Sequence, residues 1–295
     1  MARAVSRNIG NFLSLIKFSH TIFALPFALL GFFLATQDSG ESLQWTTLIY
    51  VLLCMVFARS AAMAFNRYVD RDIDGDNPRT AVREIPAGVV SRRSARWFIL
   101  FNCVAFVACA WLINPLCFYL SPVALAVVLG YSYTKRFTYF CHFVLGAGLA
   151  LAPVGAYLAV TAQWAFLPIL YGFIVLFWVA GFDIIYALQD EDFDRDHRLN
   201  SIPVRLGRVG ALQLSRLLHI SCGLLIAFAV YWQWQNYPES GLLTLLAGLA
   251  FIGLLIYQHR LVGPTDLSKV NLAFFTTNGV ASLVFGLTCI LDFYW

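Results

Sequence analysis

The sequence predicts an all-α, polytopic membrane protein with about nine transmembrane helices, on three observations. First, 60% of its 295 residues are hydrophobic and only 12% are charged, against roughly 25% charged in an ordinary soluble domain. Second, the apolar residues gather in uninterrupted runs near the length of about 20 residues that a helix needs to cross roughly 30 Å of hydrocarbon. Third, Lys and Arg fall at alternate breaks between those runs, the asymmetry expected of a chain that crosses a membrane repeatedly.

The runs follow in order. Residues 14–36 are apolar and end at QDSGESLQW (37–45), which holds no basic residue. Residues 46–66 lead directly into NRYVDRDIDGD (66–76), and the loop that follows, about 67–94, closes where the run 95–114 begins. Asn114-Pro115 divides that run from 117–134, and Lys135-Arg136 stands before 139–160. Thr161-Ala162-Gln163 divides 139–160 from 163–186, and a second long loop, about 187–209, precedes 210–232. QWQNYPES (233–240) leads to 240–258, and a break holding Arg260 and Lys269 leads to 270–292. Because the breaks at Asn114-Pro115 and Thr161 are short, eight or ten helices also satisfy the pattern.

Orientation follows from the basic residues, which accumulate in cytoplasmic segments. With the N-terminus inside, none of the external segments contains Lys or Arg. All twenty lie near the inner face or in internal loops, with Arg59 a short way into the second run. A nine-helix count alternates correctly with this distribution. The net charge of +4 therefore reflects topology, and no nucleic-acid partner is expected. The first run is too long for the apolar core of a cleaved signal, and no small-residue cleavage pattern closes it. The expected location is a bacterial inner (cytoplasmic) membrane, crossed many times, with the N-terminus and both long loops cytoplasmic. No soluble segment or obligate protein partner is evident, so residues 1–295 read as one intramembrane domain. The seven cysteines are scattered through apolar runs without a CxxC pair, which makes them small packing residues.

The two long loops carry most of the acidic residues, and they resemble each other. DRDIDGD (70–76) and DEDFDRD (190–196) share D-x-D-x-D-x-D at an offset of 120 residues, each following an even-numbered run. Two related four-helix halves of parallel orientation plus a ninth helix would account for this. On a helix, residues three and four apart share a face. If the second helix continues into its loop, Asn66, Asp70 and Asp74 form one stripe. Asp183, Tyr186, Asp190 and Asp194 form another, while Asp72, Asp76, Asp192 and Asp196 fall on the solvated side.

Carboxylates brought together repel: at ~5 Å and an effective dielectric of about 20, each pair costs roughly 3 kcal/mol. A hard divalent cation offsets that, and Mg²⁺ typically takes one or two carboxylates and completes its shell with phosphate oxygens and water. Two facing stripes of this kind would hold a diphosphate through bridging Mg²⁺, with Arg67, Arg79, Arg83, Lys135 and Arg136 as direct phosphate contacts. Acidic residues in a single loop are ordinarily a solvated surface. Two runs at matching places, each with a partner in the preceding helix, argue against that reading. Asp183 lies inside an apolar run, where an unpaired charge costs ~2.5–3.5 kcal/mol by insertion scales. Arg59 lies two turns deeper than Asn66 on nearly the same face. It either snorkels to the interface or receives an anionic group of a substrate. His20 reads as an interfacial histidine, and the other histidines show no spacing suited to a metal. A transporter is the competing class, but it predicts charge at the membrane midplane, whereas these acids lie at its inner edge.

Asn66-x3-Asp70-x3-Asp74 and Asp183-x2-Tyr186-x3-Asp190-x3-Asp194, with RTAVREIPAG (79–88) and YSYTKRFT (131–138), resemble the UbiA superfamily of intramembrane prenyltransferases. The resemblance covers essentially the whole chain and is nearest to the branch that acts on 4-hydroxybenzoate. It implies nine helices around a central cavity that opens laterally to lipid, capped by the Asp-rich loops. It also implies Mg²⁺-dependent transfer of a polyprenyl group from polyprenyl diphosphate to an aromatic acid. 4-Hydroxybenzoate, in ubiquinone biosynthesis, is the expected acceptor, and 1,4-dihydroxy-6-naphthoate, in a menaquinone route, is the alternative. By position, Asp70, Asp74, Asp190 and Asp194 hold Mg²⁺ and diphosphate, supported by Asn66. Arg59 faces the acceptor carboxylate, and Lys135 and Arg136 lie near the diphosphate. Asp70, Asp183 and Tyr186 are the expected catalytic residues, the last two orienting the acceptor or taking a proton. Asn200 departs from the Lys common in the family before Ser201, which puts a phosphate contact there in doubt.

Overall fold

The protein is described by a computed structural model covering residues 10, 12, 14–16, 22–40, 42–237 and 241–294. Lys17 and His20 lie outside the described residues. The elements are α-helices: α1 (Leu25–Ser39), α2 (Trp45–Val69), α3 (Arg71–Asp76), α4 (Arg92–Ile113), α5 (Pro115–Thr134), α6 (Cys141–Thr161), α7 (Phe166–Ala187), α8 (Glu191–Asp196), α9 (Ile202–Asn236), α10 (Leu242–Leu261) and α11 (Asn278–Tyr294). A 3-10 turn, Leu188–Asp190, joins α7 to α8, and a π turn, Leu272–Thr277, enters α11. Among the described residues, eight helical segments are long and apolar enough to cross a membrane. The fifteen residues of α1 pack beside them against α6 and α11.

Burial sorts the helices into two regions. Around one side, α1, α6, α7, α9, α10 and α11 close on a core of Phe27, Tyr171, Trp178, Ile226, Phe251 and Phe285. The Trp178 ring lies 5.5 Å from Phe27 and 5.4 Å from Phe251. Its indole N–H donates to Asn278 Oδ1 at 2.8 Å, so the one polar atom of a fully buried ring is satisfied. Glycine permits the closest approaches. A Cβ on Gly31 would lie 2.1 Å from the Pro153 carbonyl oxygen, and one on Gly146 would lie 2.6 Å from that of Leu176, so α1–α6 and α6–α7 can meet backbone to backbone only with glycine there. Asp292 caps α10, accepting from the backbone N–H groups of Gly241, Leu243 and Thr244 at 2.7–3.2 Å.

On the other side α2, α4 and α5 pack mainly on one another. Only 11% of the apolar window of α5 is buried, against 67% for the segment that contains α7. This looser corner leaves a cavity of about 360 Å³ walled by α2, α4, α5 and α6. The helix bounds follow the sequence with two large departures: the run expected at 14–36 gives α1, which starts only at Leu25, and the run expected at 210–232 belongs to a helix that starts at Ile202. Ser201 caps it, accepting from the Val204 N–H, and Pro203 occupies its first turn. Basic residues in these early turns hide the start from hydropathy, and Gly207, at φ 67°, breaks the helix where the predicted loop would end.

Candidate active site

Asp70 ends α2 with non-helical dihedrals, φ −88° and ψ 3°. The i to i−4 spacing nevertheless survives the break. The Asp70 N–H donates to the Asn66 carbonyl at 2.9 Å, and that of Asp74 to the Asp70 carbonyl at 2.7 Å. Asn66, Asp70 and Asp74 therefore stay on one face, and Asn66 Nδ2 donates to Asp70 Oδ2 at 3.1 Å. Across from them, Asp183, Tyr186, Asp190 and Asp194 descend from α7 through the 3-10 turn into α8. Both stripes line one polar cavity of about 280 Å³.

Cations neutralise the carboxylates. Lys135 Nζ lies 3.0 Å from Asp70 Oδ2, and an Arg136 guanidinium nitrogen lies 2.9 Å from Asp70 Oδ1. Arg83 pairs with Asp74 at 2.5 Å. Arg79 grips Asp190 with two nitrogens, donates to the Tyr186 hydroxyl at 3.1 Å, and stacks over the Tyr186 ring. Burial alone would lower the Arg79 pKa, but its hydrogen bond to Asp190 and that carboxylate's charge hold it above the ordinary value. Arg67 is buried in the same wall. Of the residues predicted from the sequence, Arg136 alone stands off the cavity wall: it sits behind Asp70, donating to the Ser132 and Val69 carbonyls at 2.9 and 3.1 Å.

The donor set suits a hard cation. The carboxylates are all-oxygen ligands on opposing walls, and the buried Asp74 Oδ2 has no hydrogen-bond partner. Among the described residues no three acidic, histidine or cysteine side chains converge on one point. A cation here would therefore take one or two carboxylates and draw the rest of its shell from substrate and water.

Arg59, deeper on α2, borders both the polar cavity and the larger apolar one, together with Met63, Tyr131, Leu145 and Leu149. Its Nε has no hydrogen-bond partner. From there the apolar cavity runs to Ile113, Cys117 and Trp164, residues beside the turns at the far ends of α4 and α6. The solvated acids behave as their spacing suggests: the Asp72 and Asp192 side chains are 68% and 76% exposed, each beside surface arginines.

Three residues of this site were not singled out from the sequence. Asn77 Nδ2 donates to Asp190 Oδ1 at 3.2 Å, and its position three residues after Asp74 was a usable signal. Tyr131 stands in the segment YSYTKRFT on the wall between the cavities. His142 Nδ1 lies 2.7 Å from Asp183 Oδ2, a long-range pairing that no local spacing reveals.

The model of the UbiA prenyltransferase family matches residues 24–280. The chain belongs to this family. A 4-hydroxybenzoate octaprenyltransferase of Aliivibrio fischeri (strain MJ11) is 32% identical over 251 residues, 82% of each chain. Another, of Alkalilimnicola ehrlichii, is 29% identical over 296 residues, 98% of this chain and 92% of that one. The apo structure of a UbiA homolog from Aeropyrum pernix K1 superposes with a TM-score of 0.81 at 32% identity, covering 92% of this chain and 98% of that one. A UbiA homolog from Archaeoglobus fulgidus bound to GPP and Mg²⁺ shares the fold, with a TM-score of 0.75 at 21% identity over 97% of this chain and all of that one. As a UbiA family member with its apolar spans, the chain is a multi-pass membrane protein.

Proposed function

We propose that the protein transfers a polyprenyl group from polyprenyl diphosphate to the ring of 4-hydroxybenzoate in ubiquinone biosynthesis. The site is Mg²⁺-dependent, and its Asp-rich loops face the cytoplasm from a bacterial inner membrane. One observation carries this reading: a cavity lined with carboxylates and cations adjoins an apolar cavity, and Arg59 borders both. That is the shape required by a ligand with a diphosphate head and a hydrocarbon tail. The names of the bacterial relatives support the acceptor, and the Mg²⁺ and GPP bound in a structural neighbour support the donor and the metal.

Asp70 and Asp74 from one wall, with Asp190 and Asp194 from the other, are the residues that hold Mg²⁺, with Asn66 orienting Asp70. When bound, the metal offsets charge on the departing pyrophosphate. Lys135, Arg67, Arg79 and Arg83 reach diphosphate oxygens directly, and Arg136 keeps Asp70 in place from behind. As the allylic C–O bond breaks, its electron pair leaves with pyrophosphate. The ring carbon ortho to the acceptor hydroxyl then donates a π pair to the allylic carbon. Arg59 fixes that ring through its carboxylate. Tyr186, in tilted contact with Phe274 at a ring-centroid distance of 4.1 Å, borders the reacting end. Asp183 accepts the ring proton. The apolar walls exclude the water that would quench an allylic cation.

The test incubates membranes containing the protein with a polyprenyl diphosphate, Mg²⁺ and either 4-hydroxybenzoate or 1,4-dihydroxy-6-naphthoate, with and without chelator. Prenylated 4-hydroxybenzoate, lost on chelation, is the expected result. Product from the naphthoate alone would move the enzyme to the menaquinone route, and product from neither would remove the reading.

A further inference from the structure

His142 is the second residue of α6, and its ring is buried. Both ring nitrogens are engaged by elements distant in sequence. The Ile202 backbone N–H, at the first position of α9, donates to Nε2 at 3.3 Å. Nε2 must therefore present a lone pair, which leaves the proton on Nδ1. Nδ1 faces Asp183 Oδ2 at 2.7 Å, so the N–H points at the carboxylate. Asp183 Oδ1 has no hydrogen-bond partner among the described residues, and the side chain is on the cavity wall, 22% exposed. One carboxylate oxygen is thus anchored and the other is presented to the cavity.

We propose that His142 is the positioning residue for the proton-accepting step. It holds Asp183 through a relay that runs from the Ile202 N–H through the imidazole to Oδ2, and so aims Oδ1 at the acceptor ring. This rests on the proposed aromatic polyprenyl transfer. After the allylic carbon has bonded to the ring, the ring C–H bond breaks, its electron pair restores aromaticity, and its proton passes to Asp183 Oδ1. Anchoring removes the rotational freedom of a carboxylate near the end of α7. The backbone donor also ties the geometry of the base to the start of α9, directly after the second Asp-rich loop. Asn200 extends the same tether, its N–H donating to the Lys135 carbonyl at 2.7 Å.

The experiment compares wild-type protein with His142→Leu and His142→Asn, assaying prenyl transfer to 4-hydroxybenzoate deuterated at the reacting ring position. In His142→Leu, kcat is expected to fall about 100-fold, the scale of lost general-base catalysis, with little change in KM for either substrate. Deprotonation then becomes slow enough for a primary deuterium isotope effect, absent in wild type, to appear. Asn places an amide N–H near the former Nδ1–H, so His142→Asn restores most of kcat and suppresses the isotope effect. A fall in kcat without an isotope effect, or no rescue by Asn, would reduce His142 to a packing residue and overturn the proposal. If the Leu variant is not recovered folded, the ¹⁵N spectrum of histidine in folded wild-type protein decides the matter. A neutral, Nδ1-protonated His142 supports the relay, and any other tautomer overturns it. Wild type that makes product while His142→Leu behaves normally sinks this inference alone. Wild type that makes no product sinks the transfer reading beneath it.

Discussion

The first and second Asp-rich segments carry the same D-x-D-x-D-x-D pattern yet occupy different electrostatic surroundings. Asp70 and Asp74 are 2% and 4% exposed and are met by three cations: Lys135 and Arg136 on Asp70, and Arg83 on Asp74. In the second segment only Asp190 of the aligned pair is in an ion pair among the described residues, and its partner, Arg79, comes from the first loop. The buried acid there is Glu191, which pairs with Arg195 within α8 and with Arg208 of α9, the latter bracing α8 against α9. A repeated pattern sets which carboxylates share a face. Their neutralisation depends on what packs opposite, and the closure of one loop over the other through Arg79 is what joins the two segments into one site.

The deeper positions differ in a complementary way. Arg59 precedes Asp70 by eleven residues, and the residue eleven before Asp190 is the buried Val179. Asp183 precedes Asp190 by seven, and the residue seven before Asp70 is Met63. One helix carries an arginine at this depth and the other a carboxylate, so neither half alone holds both.

The comparison is broken most directly at its tightest point. Asp70→Asn and Asp74→Asn should each lower prenyl transfer by at least about 10³-fold, about 4 kcal/mol of barrier. Asp70→Asn should also lower the Tm, because Lys135 and Arg136 lose their shared partner. Measurable turnover in Asp70→Ala would take that residue out of the metal set. Arg59→Ala comes next. Losing one charge-assisted contact should raise KM for the acceptor about 10–100-fold and leave KM for the diphosphate unchanged; a rise in the diphosphate KM instead would relocate the acceptor. Asp194→Asn should be milder, about 30-fold or about 2 kcal/mol in kcat/KM for the diphosphate, with an unchanged Tm, since no ion pair is lost. An effect as large as that of Asp70→Asn would show the two segments to be equivalent. The smallest effect belongs to Asp72→Asn and Asp192→Asn. These exposed residues should change turnover by less than about twofold, as surface ion pairs contribute little.

Much of this architecture was legible before any coordinates. The acidic stripes were readable because the backbone bonds at Asp70 and Asp74 keep helical spacing even where the dihedrals do not. Arg59 stood out as a charge within an apolar run. The start of α9 was not readable, because basic residues and Gly207 mask its first turns. Nothing in its local spacing marks His142, because its partners Asp183 and Ile202 lie 41 and 60 residues away. Adjacency in the sequence pairs Arg136 with Lys135, yet successive residues at a helix end point in different directions. Only Lys135 reaches the cavity wall.

By itself, the sequence determined that about nine apolar helices are present, where most of them lie, and the faces on which acids could gather. Hydrocarbon penalises unpaired backbone and isolated charge whatever the fold, and helical periodicity is local. Only the tertiary structure decided which cation meets which carboxylate, where the apolar cavity opens, and that an imidazole anchors Asp183. Those outcomes depend on contacts between residues far apart in the chain, made where glycine lets some helices close tightly and where the loosely packed α2, α4 and α5 leave room.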